Sequence, residues 1–489
     1  MCCPKNCFNL SSIRTATIIT KYFSIDRSLR DERPFFICPS AAWRATATNF
    51  SMRTLADVYS KATRYFGVSE KLSSDFGLII FANAVNNLTT FAANIAIARY
   101  LGQEVFGLFS IAVTVAMTTL TVSEFGMNVT MVRLYGLHRA DKGRSRAVLI
   151  CNLYFKIMVL AFLAAVAVAL GDIISMYLTK SSEYAWLVGF AILSGGILGF
   201  WTYTKALLQA VDRFKQIAHL TMLYAILRVV LLSAVGLSQT FHTPEALLLS
   251  VYLLPIAAVC TRAYPTLKAA IALPGVPFST VIDTLWESLR YSKWVAGSGI
   301  SFLLLQQSMT FIAAAFGDLR QVALLNAGLV FTAVFALLND AVQQMILPKV
   351  SAMSIDGLFS YKRKIMKFLP AFAVLSLLVI TLLSVLMSVL LGDVYSESLP
   401  IFLVTSLGAA ATIAFGFLSI LVHSIRLPSI SLYINLFTLL VFVPLGSILM
   451  VKEGLFYMTI WYAISVVVGE AIKVLIINRY ARTLQGSNK

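Results

Sequence analysis

Residues 371–391 read AFAVLSLLVITLLSVLMSVLL, and the basic run KRKIMK at 362–367 stands just before them. A segment this long and apolar on every side spans the hydrocarbon layer when wound as an α-helix. It lacks the period-two alternation of an outer-membrane strand, so a porin-like barrel is excluded. Runs of the same kind recur from residue 76 to residue 477. We expect helices at 76–98, 106–126, 147–170, 185–204, 217–237 and 246–260, and a second six at 294–316, 322–344, 368–391, 399–421, 429–450 and 455–477. The whole chain agrees, with 59% hydrophobic and 12% charged residues among 489. The fold class expected is an all-α polytopic membrane protein of about twelve transmembrane helices.

The net charge of +17 does not point to nucleic acid, because the basic residues are spread through short links instead of gathered in a polar domain. One set of alternate links is rich in them, as in Arg133 to Arg146, Arg213 and Lys215, Arg262 and Lys268, and Lys362 to Lys367. The other set carries only Arg99, Lys180, Arg320 and Lys452. The positive-inside rule then places both termini in the cytoplasm of a multi-pass inner-membrane protein. Four of the six cysteines (Cys2, Cys3, Cys7 and Cys38) lie in the first forty residues, which is not a disulfide framework.

The Pro- and Gly-containing stretch 265–287 reads as a link between an N-lobe at 76–264 and a C-lobe at 288–480, followed by a cytoplasmic tail at 481–489. Shifting the chain by 216 sets Ser110 on Asn326, Ser123 on Asn339, Glu124 on Asp340 and Arg133 on Lys349. A shift of 215 sets Gly102 on Gly317. Six helices is an even number, so the second copy enters the membrane in the same direction and the repeat is parallel. Residues 1–75 form a cytoplasmic extension in which Leu55, Val58, Tyr59, Ala62, Tyr65 and Phe66 mark an interfacial helix. Residues 1–51 lack a targeting core, and translation from Met52 is expected to give an inserted protein.

Within the membrane, Asn83, Asn86, Asn87, Thr90 and Asn94 form one polar stripe down the first helix. It either hydrogen-bonds neighbouring helices or lines a hydrated cavity, and both readings turn it away from lipid. Glu124 with Thr114 on the second helix, Gln306 and Gln307 on the seventh, and Asp340 on the eighth extend the polar surface, so the two lobes can enclose a central cleft. Arg228, in AILRVVL at 225–231, and Lys156, in LYFKIMV at 153–159, sit near mid-helix. An ionised group there costs at least about 2.5 to 3.5 kcal/mol unless solvated or paired. Each either faces an aqueous cavity and attracts an anionic cargo or forms a buried pair with a carboxylate such as Glu124. Arg99, closing the first helix, is an interfacial anchor or a gate. Lys205 and Arg262 can snorkel, and Glu470 and Lys473 can neutralise one another at a spacing of three. The chain has no Walker-type loop and no HisGluxxHis pair, so nothing suggests an enzyme or a resident cofactor.

The segments ARYLGQEVFGLFS at 98–110, SEFGMNVTMVR at 123–133, ALLQAVDRFK at 206–215 and ILPKVS at 346–351 resemble helix ends and turns of the lipid-linked oligosaccharide (polysaccharide) flippases. These belong to the multidrug/oligosaccharidyl-lipid/polysaccharide exporter superfamily. The resemblance implies two six-helix lobes in a V shape, alternating access, and a polyprenyl-diphosphate-linked glycan moved from the cytoplasmic to the periplasmic leaflet. Protons (H⁺), Na⁺ or the substrate gradient alone are the alternatives for driving such a carrier, and a glycan polymerase and chain-length proteins are candidate neighbours. Family members often carry an acid followed by Arg near the end of helix 7. Here QQSMT stands at 306–310, so a charged role does not carry over. The alternatives are a cation-coupled multidrug exporter of the same architecture and, from another class, a membrane glycosyltransferase or glycan ligase.

Overall fold

Gly102 decides how the chain enters its fold. The computed structural model describes residues 70–237, 243–271, 277–351, 355–419 and 428–487, and the first helical stretch, α1 (Glu70–Glu124), is broken at Gly102, where φ is 81° and ψ 172°. Only glycine takes that backbone without strain. On a straight helix Asn83 and Thr114 would stand about 46 Å apart, yet both line one cavity. The two arms of α1 therefore fold back on each other as two crossings.

The remaining helices follow in order: α2 (Met127–Leu137), α3 (Lys142–Thr179), α4 (Ala185–Ala210), α5 (Phe214–Leu237), and α6. The last runs as Pro244–Leu248, then a π-helical turn over Leu249–Leu253, then Leu254–Ile271. The second set is α7 (Phe278–Phe316), α8 (Leu319–Ser351), α9 (Ile355–Leu391), α10 (Ser398–Ser419), α11 (Pro428–Lys452) and α12 (Leu455–Ser487). Eleven helical stretches are long and apolar enough to cross a membrane, and the hairpin in α1 raises the described crossings to twelve.

Local signals explain the helix starts. Asp141 caps α3 by accepting the N–H groups of Gly143 and Arg144 at 2.9 and 3.1 Å, and the Arg144 N–H above all holds its carboxyl below the usual carboxylate range. Thr243 caps α6, with Pro244 in its first turn. Gly317 is extended between α7 and α8, at the place where Gly102 breaks α1, so the hairpin at the head of each lobe turns at the glycines the internal repeat pairs.

Much of the stretch 265–287, read from the sequence as a link between the lobes, is helical. The helix α6 continues through Pro265 to Ile271, and α7 already starts at Phe278. The early turns of α7 lean on the N-lobe: Arg133 donates to the Tyr291 hydroxyl and lies 4.3 Å over its ring, and His138 stands 3.7 Å from Glu287. That packing against α2 and α3 rewards helix where Pro and Gly alone argue for loop. The expected interfacial helix at 55–66 and residues 1–69 as a whole lie outside the described residues.

The basic links share one end of the bundle, here called the basic end. At the far end the lobes meet through the backbone. Arg99 donates to the carbonyls of Leu390 at 2.9 Å and Val389 at 3.5 Å, and Gln103 donates to that of Val394 at 2.8 Å. The Tyr395 hydroxyl donates to the Ala98 carbonyl at 3.0 Å, and Lys180 donates to that of Gly317. Burial pushes the Tyr395 hydroxyl up to about 12, so it stays a donor at neutral pH. A Cβ on Gly107 would strike the Leu319 carbonyl, which shows how closely α1 and α8 approach.

Candidate functional site

Between the lobes lies a cavity of about 1050 Å³, bounded by both arms of α1 on one side and by α7, α8 and α9 on the other. Asn83, Asn87, Thr90 and Asn94 bring the polar stripe to its wall, joined by Ser110, Thr114, Gln307 and Asn326. Ser110 and Asn326, which the internal repeat sets on one another, therefore face the same space. Phe91, Phe106, Phe109, Val330, Val334, Leu383 and Leu386 supply the apolar part. Ile80 and Leu337, 45% and 39% exposed, line the end of the cavity nearer the basic links. At the opposite end Phe106 meets Tyr395 edge to face at 6.3 Å, beneath the carbonyl contacts of Arg99 and Gln103.

The stripe divides by its hydrogen bonds. The Thr90 hydroxyl donates back to the Asn86 carbonyl at 2.7 Å, and Asn94 donates to the Thr90 carbonyl at 3.1 Å. Such bonds close on the helix itself, and the Asn94 amide keeps its side-chain oxygen for a partner in the cavity, whereas the Thr90 hydroxyl also accepts from Arg228. Asn86 turns off the wall, with its side-chain oxygen buried and without a partner among the described residues.

Arg228 is 3% exposed and stands one layer behind the wall. Its Nε donates to the Val251 carbonyl at 3.2 Å and its fork to the Thr90 hydroxyl, while the guanidinium lies 4.5 Å over Tyr224 and 5.6 Å from the Tyr252 ring. The π-helical turn of α6 carries both Val251 and Tyr252. No carboxylate pairs with Arg228 among the described residues. Aromatic faces, a carbonyl and a hydroxyl hold the cation instead, and Thr90 links it to the cavity. The aromatic column continues: Trp201 stacks on Tyr224 at 5.9 Å, and Lys205 sits 5.3 Å over Trp201. Sequence reasoning missed Tyr224 and Tyr252, although Tyr224 stands one helical turn before Arg228.

Lys156 is also off the wall. Its ammonium is buried beside Gly199 and Ser123 inside the N-lobe, with no hydrogen-bond partner among the described residues. Glu124 is the carboxylate whose field reaches both Lys156 and Lys205. It accepts a hydrogen bond from Asn128 at 3.0 Å, and Asn128 also donates to Thr202 at 3.1 Å. Gln307 lines the cavity and Gln306 does not. The Asp340 side chain lies outside the described residues. Arg99 ties α1 to the end of α9, and Lys473 donates to Glu470 at 2.6 Å within α12.

Residues 72–354 match the family model described as "Polysaccharide biosynthesis protein". The fold is similar to that of a structure described as the inward-facing conformation of a multidrug resistance MATE family transporter of the MOP superfamily. That match has TM-score 0.64 and 15% identity, covering 83% of this chain and 96% of that one. It is similar too to the lipid II flippase MurJ in an inward closed conformation, with TM-score 0.61 and 13% identity over 82% and 87% of the two chains. A third likeness, to a MOP superfamily transporter from Pyrococcus furiosus Vc1, has TM-score 0.51 and 15% identity over 84% and 95%. No curated protein matches by sequence. The protein is an all-α, multi-pass membrane protein with the transporter fold of these structures, and the match over more than half its length shows that the chain belongs to the polysaccharide biosynthesis protein family.

Proposed function

We propose that this protein is a flippase that carries a polyprenyl-diphosphate-linked oligosaccharide from the cytoplasmic to the periplasmic leaflet of the inner membrane for surface polysaccharide assembly. The observation that carries the reading is the mixed lining of the inter-lobe cavity. Amide and hydroxyl groups from α1, α7 and α8 alternate there with aromatic and aliphatic surface from α1, α8 and α9. A glycan headgroup needs many hydrogen-bond partners, whereas its polyprenyl tail needs none and can stay in lipid. The carbonyl contacts between the lobes hold the far end together, which suits a carrier that loads from the basic side. The charge distribution supports a cytoplasmic basic side and cytoplasmic termini.

The described wall carries no carboxylate, which counts against an exporter of organic cations. Arg228 stands behind the wall and donates to its Thr90 hydroxyl, in keeping with a diphosphate as part of the cargo. H⁺ or Na⁺ is the coupling ion this reading brings with it, and a glycan polymerase and chain-length proteins are its natural neighbours.

The test is leaflet transfer of a polyprenyl-diphosphate glycan in proteoliposomes, read by access of a lectin to the glycan. Protein-dependent transfer is expected, with a fall of about tenfold in Asn87→Leu/Asn94→Leu at unchanged protein content, the magnitude of one or two lost hydrogen bonds. Transport of an organic cation without glycan transfer would establish the exporter instead, and glycan product formed from a glycosyl donor would establish an enzyme.

A further inference from the structure

A second polar pocket, of about 370 Å³, opens between α5 and α6 at the basic end, and none of its residues touches the central cavity. Its rim is formed by Arg213, His219 and Arg262, all exposed, and its wall by Gln216 and Thr266, which hydrogen-bond one another at 3.0 Å. Its floor is Leu220, which is buried, and Leu223. No carboxylate lines it. Asp212, the nearest in the chain, is engaged by Arg139. Neither Arg213 nor Arg262 has an ion-pair or hydrogen-bond partner for its guanidinium among the described residues. Along α5 the Arg213 rim lies about 22 Å from Arg228 toward the basic end and the Leu223 floor about 8 Å, so for an Arg228 at mid-membrane the rim is at headgroup depth and the floor within the hydrocarbon.

Two unpaired guanidiniums at headgroup depth, set above an apolar floor, match a phosphate that carries acyl chains. A snorkelling arginine needs only water around its head, but here two of them converge with a histidine on one concavity, where Arg forks take phosphate oxygens in pairs. Basic pockets between helices on the cytoplasmic side are recognised by anionic lipid headgroups. We propose that this pocket holds the phosphodiester of an anionic glycerophospholipid from the leaflet on the basic side, with an acyl chain running over Leu220 and Leu223. The inference is independent of the cargo.

The full-length protein in detergent, examined by native mass spectrometry with phosphatidylglycerol, decides the matter. The lipid-bound fraction should fall on the order of tenfold in Arg213→Gln/Arg262→Gln. It should remain near wild type in Arg363→Gln/Lys364→Gln, which removes the same charge from exposed positions on α9. Arg213→Lys/Arg262→Lys should retain an intermediate fraction, because a point charge attracts phosphate without the fork, and it serves as the test variant if the glutamine pair fails to give a monodisperse species. Phosphatidylcholine, whose headgroup adds a cation, should bind more weakly to the wild type. Equal lipid retention in the glutamine pair and the wild type would overturn the proposal. So would complete displacement of the lipid by an equal concentration of inorganic phosphate, which would make the pocket a site for the free ion.

Discussion

Arg228 is a cation without a carboxylate, and its surroundings show how the bilayer interior tolerates it. Removing the side chain leaves the Val251 carbonyl and the Thr90 hydroxyl without their donor and empties the space between Tyr224 and Tyr252. Arg228→Ala is expected to lower unfolding stability by roughly 1.5 to 3 kcal/mol, the scale of hydrogen bonds to a charged group, and to depress glycan transfer as Thr90 loses its anchor. Arg228→Lys keeps the charge and loses the fork, so it should melt between the two and transfer partially. Thermal unfolding of the purified variants, measured beside transfer, checks both. Wild-type melting with wild-type transfer in Arg228→Ala would show that the cage carries neither stability nor function. The need for a special environment was legible from mid-helix charge alone. The environment itself was not, because Thr90 and Val251 reach Arg228 only when three helices are packed.

At the scale of helices, glycine controls distance. A Cβ on Gly195 would collide with the Ala116 carbonyl and the Thr119 side chain, so α4 lies directly against the second arm of α1. Gly195→Ala should therefore cost roughly 1 to 3 kcal/mol through overpacking, read as a lower melting temperature. Gly136, in α2, faces open space, and Gly136→Ala should be neutral or gain up to about 1 kcal/mol from helix propensity. The same melt separates the two, and equal effects at both positions would refute the packing argument. Helix positions were readable because membrane spans announce themselves by length and hydropathy. The helical start of α7 inside 277–287 was not, because contacts with Arg133 and His138 on the other lobe override the local turn signals. The π-helical turn in α6 is likewise invisible in LSVYL at 249–253, where no residue type demands it.

For the whole molecule, the far-end closure sets which way the cavity faces. Tyr395→Phe removes one hydrogen bond across the lobes, worth about 0.5 to 1.5 kcal/mol, and should shift the balance toward far-end opening about two- to tenfold. Gly107→Ala pushes a methyl group into the Leu319 carbonyl and should shift it the same way. Both are read by labelling Asn87→Cys, on the cavity wall, with a membrane-impermeant thiol reagent added outside, in a background without native cysteines. Unchanged labelling in both variants would mean that these contacts do not hold the closed state. Asp393→Cys should be labelled from outside in every variant, and tags on both termini only after permeabilisation. Asp393 suits this better than the neighbouring Gly392, whose φ of 71° disfavours a side chain. The reverse pattern would invert the topology.

The residues alone indicated about twelve helices and their places, the alignment of Gly102 with Gly317 between the two halves and a polar stripe that had to face inward. A bilayer makes these local properties: span length, apolarity and a polar residue's aversion to lipid are legible without knowing any neighbour. Packing settled where the cations stand, which amides reach the cavity and which end is shut. Arg228 and Lys156 lie behind the wall because other helices stand in front of them, a relation between segments far apart in the chain. The closure itself uses the carbonyls of Ala98, Gly317, Val389, Leu390 and Val394. Arg99 could be singled out in the sequence as an anchor or a gate, but every residue has such a carbonyl, so which ones it and its fellow donors meet is set only once the lobes pack.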